Sequence, residues 1–133
     1  MRIPFPTVLL IDDEPIANFL HEIVIRQVGI GQEVLIFQQA SRALDYLLAT
    51  FPPATPPSVL IFLDINMPLM DGFDFLEELQ RKGYSALLAS IVILSSSTHP
   101  IDQQKAKQYG IKYYLSKPLT QSILQDFIRR NYL

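Results

Sequence analysis

The sequence predicts an α/β fold: a five-stranded parallel sheet, doubly wound, with helices on both faces. Two observations carry this. Short apolar runs recur and each stops on a polar residue: Val8-Leu9-Leu10-Ile11 before Asp12-Asp13, Val59 to Leu63 before Asp64, Ile91 to Leu94 before Ser95, and Tyr113 to Ser116 before Lys117-Pro118. Such runs read as buried strands of a parallel sheet. Between them lie segments with helical spacing, and that alternation calls for right-handed crossovers.

Taken in order, the first helix is expected after Glu14, with Ile16, Phe19, Leu20, Ile23 and Val24 as its buried stripe and Gly29 and Gly31 closing it. Gln32 to Phe37 is rich in strand formers and supplies the second strand. Ala40, Ala43, Leu44, Leu47 and Leu48 mark the second helix, with Ser41 or a neighbour as cap. Phe51 to Ser58 holds four prolines and reads as a stiff surface loop. Phe73, Leu76 and Leu79 place a third helix after Asp71-Gly72, ending near Gly83. A fourth begins at Pro100, a favoured first-turn residue, and stops at Gly110. The last starts from Thr120, with Leu119 and Leu124 as a hydrophobic staple, and runs through Ile123, Phe127 and Ile128. The prediction is five strands and five helices.

Composition narrows the function. With 133 residues, 49% hydrophobic and 18% charged, the chain has the size and make-up of one globular domain. A net charge of -2 and a pI near 5.6 leave no basic surplus for nucleic acid. There is no cysteine, hence no disulfide framework or thiolate chemistry. Met1 to Pro6 lacks the apolar core of a signal peptide, and no apolar stretch is long enough to cross a bilayer. A soluble cytoplasmic domain without membrane or nucleic-acid contacts is expected.

In open parallel sheets ligands bind past the carboxyl ends of the strands, where Asp12, Asp13, Glu14, Asp64, Ser95 and Lys117 should converge. Clustered carboxylates repel, and a hard divalent cation relieves them; Mg2+ fits, since it takes few carboxylates and fills its remaining positions with water and substrate oxygens. Helix capping would need only one of Asp12 and Asp13. Lys117 is placed to neutralise a phosphoryl group and Ser95 to hydrogen-bond it, which is what phosphoryl transfer mainly demands. A carboxylate such as Asp64 can itself accept the phosphoryl group, giving an acyl phosphate. His21 is read on the polar side of the first helix and His99 in a loop, both as surface or capping residues without metal-ligand spacing. Tyr113-Tyr114 reads as strand packing.

Four motifs, in this order, resemble the receiver domain of two-component response regulators over essentially the whole chain. They are Leu10-Ile11-Asp12-Asp13-Glu14, Leu63-Asp64-Ile65-Asn66-Met67-Pro68-Leu69-Met70-Asp71-Gly72, Leu94-Ser95-Ser96-Ser97 and Tyr114-Leu115-Ser116-Lys117-Pro118. The resemblance implies a flavodoxin-like strand order 2-1-3-4-5. It implies that Asp64 takes a phosphoryl group from a phosphohistidine of a sensor histidine kinase or histidine phosphotransfer protein. By the same analogy Asp13, Asp64 and the backbone carbonyl of Asn66 ligate Mg2+ directly, with Asp12 acting partly through water. Ser95 would be the switch hydroxyl, Lys117 the phosphate clamp, and Tyr114 an aromatic that turns inward on activation. A cis Lys117-Pro118 bond would aim the lysine. Ser95 stands where threonine is frequent.

Such a protein is a phosphoacceptor that assists its own phosphorylation and dephosphorylation, rather than a conventional enzyme. One receiver domain over residues 1–133, without an output domain, is expected to act on another protein through the fourth helix, last strand and last helix, a face that also suits a homodimer. Three rival functions fit the residues less well. A haloacid-dehalogenase-type phosphatase wants an acid two residues after its nucleophile, where this chain has Asn66. A flavin module wants a loop that Asp12-Asp13-Glu14 would make repulsive to phosphate. A receiver-like scaffold that is never phosphorylated usually lacks an acid or the lysine, and here none is missing.

Overall fold

The computed structural model describes residues 5–53, 58–97 and 99–132. Residues 54–57, half of the proline-rich loop, and Thr98 fall outside them. The strands are β1 (Phe5–Ile11), β2 (Gly31–Phe37), β3 (Val59–Leu63), β4 (Ile91–Ser95) and β5 (Tyr113–Ser116). They form one parallel sheet in the order β2-β1-β3-β4-β5, as the resemblance implied. The helices are α1 (Pro15–Val28), α2 (Ala40–Thr50), α3 (Gly72–Arg81), α4 (Ser85–Leu88), α5 (Pro100–Gln108) and α6 (Gln121–Tyr132).

The side chains of the central strands alternate between two cores, as the period of two in a strand requires. Val8, Leu10, Leu60, Phe62, Val92 and Leu94 pack with Ile25 and Val28 of α1 and Leu124, Phe127 and Ile128 of α6. Leu9, Ile11, Ile61, Leu63 and Ile93 pack on the other face with α2, α3, α4 and Ala106 of α5. Nearly every residue of β1, β3 and β4 is buried, which explains why these strands read as continuous apolar runs.

Three local readings need correction. A sixth helix exists: the single turn α4 buries Leu87 and Leu88 before β4, so the expected fourth and fifth helices are α5 and α6. Ser41 lies inside α2, whose N-cap residue, Gln39, makes no side-chain cap. Most consequentially, α1 turns four of the five residues of its expected core stripe outward, and Val24 alone of them packs, half-buried, against the core. Ile16 is 72% exposed, Phe19 62%, Leu20 53% and Ile23 38%. The buried positions are Asn18, His21, Ile25 and Val28, a stripe spaced 3, 4, 3. A hydrophobicity-weighted reading picks the wrong face because two of the four buried residues are polar.

Other termini follow the sequence. Asp71 and Asp74 form a reciprocal capping box at the start of α3. The Thr120 hydroxyl accepts from the Ile123 N–H at 3.2 Å, and His99 Nδ1 accepts from the Ile101 N–H at 3.2 Å. Gly72 is required by close approach: a Cβ there would lie 2.6 Å from Ile65 Cα and 2.8 Å from the Asp64 carbonyl oxygen. The inversion of α1 is testable by denaturant unfolding. Ile25→Ala should cost about 2–5 kcal/mol, and Phe19→Ala should stay within about 0.5 kcal/mol of the parent.

Candidate functional site

Register brings the site together. Ile11 pairs with Leu63, so Asp12 and Asp64 stand side by side just past the ends of β1 and β3. The Asp64 N–H donates to the Ile11 carbonyl at 2.9 Å. Ser95 pairs with Ser116, and the Lys117 N–H donates to the Ser95 carbonyl at 2.9 Å. The Lys117-Pro118 bond is cis.

Carboxylate oxygens of Asp12, Asp13 and Asp64 lie within 4.8 Å of one another. Asp12 and Asp64 are buried and Asp13 is half-buried. Local turns orient two of them: Asp12 Oδ1 accepts from the Glu14 N–H at 3.0 Å, and Asp64 Oδ1 accepts from the Asn66 N–H at 3.3 Å. The opposite oxygens face Lys117, whose Nζ lies 2.5 Å from Asp12 Oδ2 and 3.5 Å from Asp64 Oδ2. Burial pushes the Asp64 carboxyl up; attraction to Lys117 opposes this and the Asp12 charge adds to it, leaving it above the usual value. Burial alone would push the Lys117 ammonium down, but the Asp12 hydrogen bond and the charges of Asp64 and Asp12 hold it above its ordinary value. Among the described residues Lys117 thus meets two of the three carboxylates, Asp12 and Asp64. This hard, oxygen-only set, not neutralised by its own lysine, fits a divalent cation such as Mg2+.

Ser95 is fully buried, and its hydroxyl accepts from the Ser97 N–H at 3.1 Å. Ser97, which enters the sequence reading only as the end of the Leu94-Ser95-Ser96-Ser97 motif, is the hub beyond it. The Ser97 carbonyl accepts from the Tyr114 hydroxyl at 3.0 Å, and the Ser97 hydroxyl bonds Asp102 in the first turn of α5 at 2.5 Å. Its signal was its place five residues before that acid. Tyr114 is half-buried against the α2–α5 core, and its hydroxyl is tied to the β4–α5 loop.

His21 corrects the sequence reading: it is buried, and its Nε2 accepts a long 3.4 Å hydrogen bond from the Leu119 N–H. Burial, with repulsion from Lys117, lowers its pKa against an opposing pull from Asp12, favouring the neutral ring that can accept. One turn earlier, Asn18 Nδ2 donates to the Asp12 carbonyl at 2.8 Å. Asn18 Oδ1 has no partner among the described residues, a cost of about 1–3 kcal/mol for a buried acceptor.

A family model described as the response regulator receiver domain matches residues 8–129. The chain is 30% identical over 113 residues to "Probable chemotaxis protein CheY" of Rhizobium etli, covering 85% of this chain and 81% of that protein. It is 32% identical to the nitrate/nitrite response regulator protein NarL of Escherichia coli, over 85% of this chain but 48% of that protein. The chain spans about half the length of several such curated relatives. A two-component response regulator structure from Cytophaga hutchinsonii superposes with a TM-score of 0.72 at 31% identity, over 93% of this chain and 94% of that one.

The raised Asp64 carboxyl has a consequence for stability. Between the ordinary carboxyl pKa of 3.8 and the raised folded value, the folded chain binds more protons than the unfolded one. Stability therefore falls as pH rises through that window, and the cost persists at neutral pH. Without divalent cations, Asp64→Asn should unfold at higher denaturant than the parent at pH 7, with the gap narrowing as pH falls through that window and closed below the ordinary value.

Proposed function

The chain belongs to the response regulator receiver domain family, and from that premise we propose that it is a phosphoacceptor of a two-component pathway, modified on Asp64. The observation that carries this reading is the placement of Asp64 against Asp12, Asp13 and Lys117 at one sheet edge. Asp12, Asp13 and Asp64, with the Asn66 carbonyl, would hold Mg2+, which when bound supplies charge neutralisation for the incoming phosphoryl oxygens. An Asp64 oxygen attacks phosphorus; the new P–O bond forms as the P–N bond of a phosphohistidine breaks, and the donor imidazole leaves. Lys117, now nearer Asp12, turns to the phosphoryl group, and the Ser95 hydroxyl donates to it.

The donor is a sensor histidine kinase or a histidine phosphotransfer protein, and it approaches across α1. Ile16, Ala17 and Leu20 line an apolar hollow with Lys117 and Pro118, so an apolar helical partner seated there would reach the acids. Leu69 flanks them on the other side, sharing a hollow with Asp13; it is 95% exposed on left-handed backbone (φ 66°). Output follows the chain of contacts from Ser95 through Ser97 to Tyr114 and Asp102, changing the α5–β5–α6 surface offered to a downstream protein or a second copy. α5 suits that role because Ala106 is its one buried residue among those described. A cytoplasmic setting fits this reading, as does the finding that no helix among the described residues is long and apolar enough to cross a membrane.

Acetyl phosphate with Mg2+ should add one phosphoryl group, read by mass spectrometry, and chelation should suppress it. Asp64→Asn should take none, and Asp13→Ala should lose both labelling and Mg2+ binding. Full labelling of Asp64→Asn would overturn the assignment, and a parent that takes no label would favour the unphosphorylated scaffold. Leu20→Glu should keep acetyl phosphate labelling yet slow transfer from a phosphohistidine protein that labels the parent by about tenfold or more.

A further inference from the structure

α1 buries the wrong residues for a helix that serves packing alone. Leucine would fill the positions of Asn18 and His21 without an unpaired acceptor, while this helix leaves Ile16, Phe19 and Leu20 in solvent. Each buried polar side chain instead holds a loop of the site. Asn18 Nδ2 takes the Asp12 carbonyl, fixing the β1–α1 loop, and His21 Nε2 takes the Leu119 N–H, fixing the β5–α6 loop two residues past Lys117. The circuit closes across the site, where Lys117 Nζ meets Asp12 Oδ2. The amide orientation of Asn18 is set by its partner, since a carbonyl accepts only from the NH2 end. Asn18 and His21 also border, with Asp12 and Asp64, a gap too small to hold a water molecule.

We propose that Asn18 and His21 are positioning residues for phosphoryl transfer, bracing from one face of α1 the two loops that deliver Asp12 and Lys117. The brace lets Lys117 pass from Asp12 to a phosphoryl group by side-chain rotation, with its backbone held. This inference rests on the phosphoacceptor reading above. Outer partners that orient a reacting or metal-binding group typically change rate or affinity by about 10–100-fold when removed.

The test compares two His21 variants with the parent. His21→Leu removes the acceptor, whereas His21→Gln retains an amide oxygen able to take the Leu119 N–H. Acetyl phosphate labelling at saturating Mg2+ should slow about tenfold or more in His21→Leu and recover most of the parent rate in His21→Gln. Denaturant midpoints should show His21→Leu at least as stable as His21→Gln. A purely structural role predicts the reverse order of labelling, following stability. Amide exchange gives a readout independent of phosphorylation: the Leu119 N–H should lose protection in His21→Leu and keep it in His21→Gln. Asn18→Leu provides the same labelling comparison should His21→Leu fail to fold. Parent-rate labelling in the leucine variants, or equal loss in His21→Gln and His21→Leu, would overturn the brace while leaving Asp64 as acceptor. A parent that takes no label would overturn the phosphoacceptor reading and the brace with it.

Discussion

Three carboxylates confined within 4.8 Å, two of them buried, are a standing electrostatic cost, and much of the carboxyl edge is arranged around it. Parallel register forces Asp12 and Asp64 together, because Ile11 and Leu63 pair one residue earlier. The Glu14 and Asn66 amides draw one oxygen of each into a turn, leaving the other to share Lys117. Burial, with the Asp12 charge added, outweighs the attraction of the Lys117 ammonium, so the Asp64 carboxyl stays above its ordinary value. The same cost that weakens the fold makes the edge receptive to a divalent cation and to a group that the lysine can follow.

That constraint explains which parts of the molecule the sequence exposed. β1, β3 and β4 are enclosed by helices on both faces, so their apolar runs are long and their polar ends abrupt. Asp12, Asp64 and Ser95 were legible for that reason, each ending or directly following a buried run, whereas Lys117 follows β5, an edge strand that is only half-buried, contrary to the buried run expected there, and was legible from its place before Pro118. The starts of α3 after Asp71 and of α6 at Thr120 were legible because what fixes them is local.

What stayed hidden was set by partners distant in sequence. Asn18 and His21 look like solvent-facing residues beside Phe19 and Leu20, until the loops carrying the Asp12 carbonyl and the Leu119 amide are brought against α1. Their burial satisfies backbone groups, a demand that hydrophobic periodicity does not register. Ser97 was hidden differently. It matters through its own carbonyl and hydroxyl, which Tyr114 and Asp102 engage only after β5 and α5 are in place. α4 is too short for a period to emerge.

The two surfaces of α1 follow from one geometric fact. A helix that begins directly after Asp12 and Asp13 and crosses beside the β5–α6 loop has the acids at its start and the lysine's loop along its flank. Its inner face must therefore meet loop backbone, whose N–H and C=O groups need polar partners, before it can meet core; Ile25 and Val28, further from the edge, reach the apolar layer, with Val24 partly buried against it. Its outer face is free of those demands. Apolar residues placed there do not add to the core, and leaving them in water is unfavourable unless something covers them. The nearer of them, Ile16 and Leu20, share a hollow with Lys117 and Pro118. Polar residues inside and apolar residues outside are thus two responses to the same neighbourhood, one holding the site's loops and the other open to the phosphoryl donor of the proposed function.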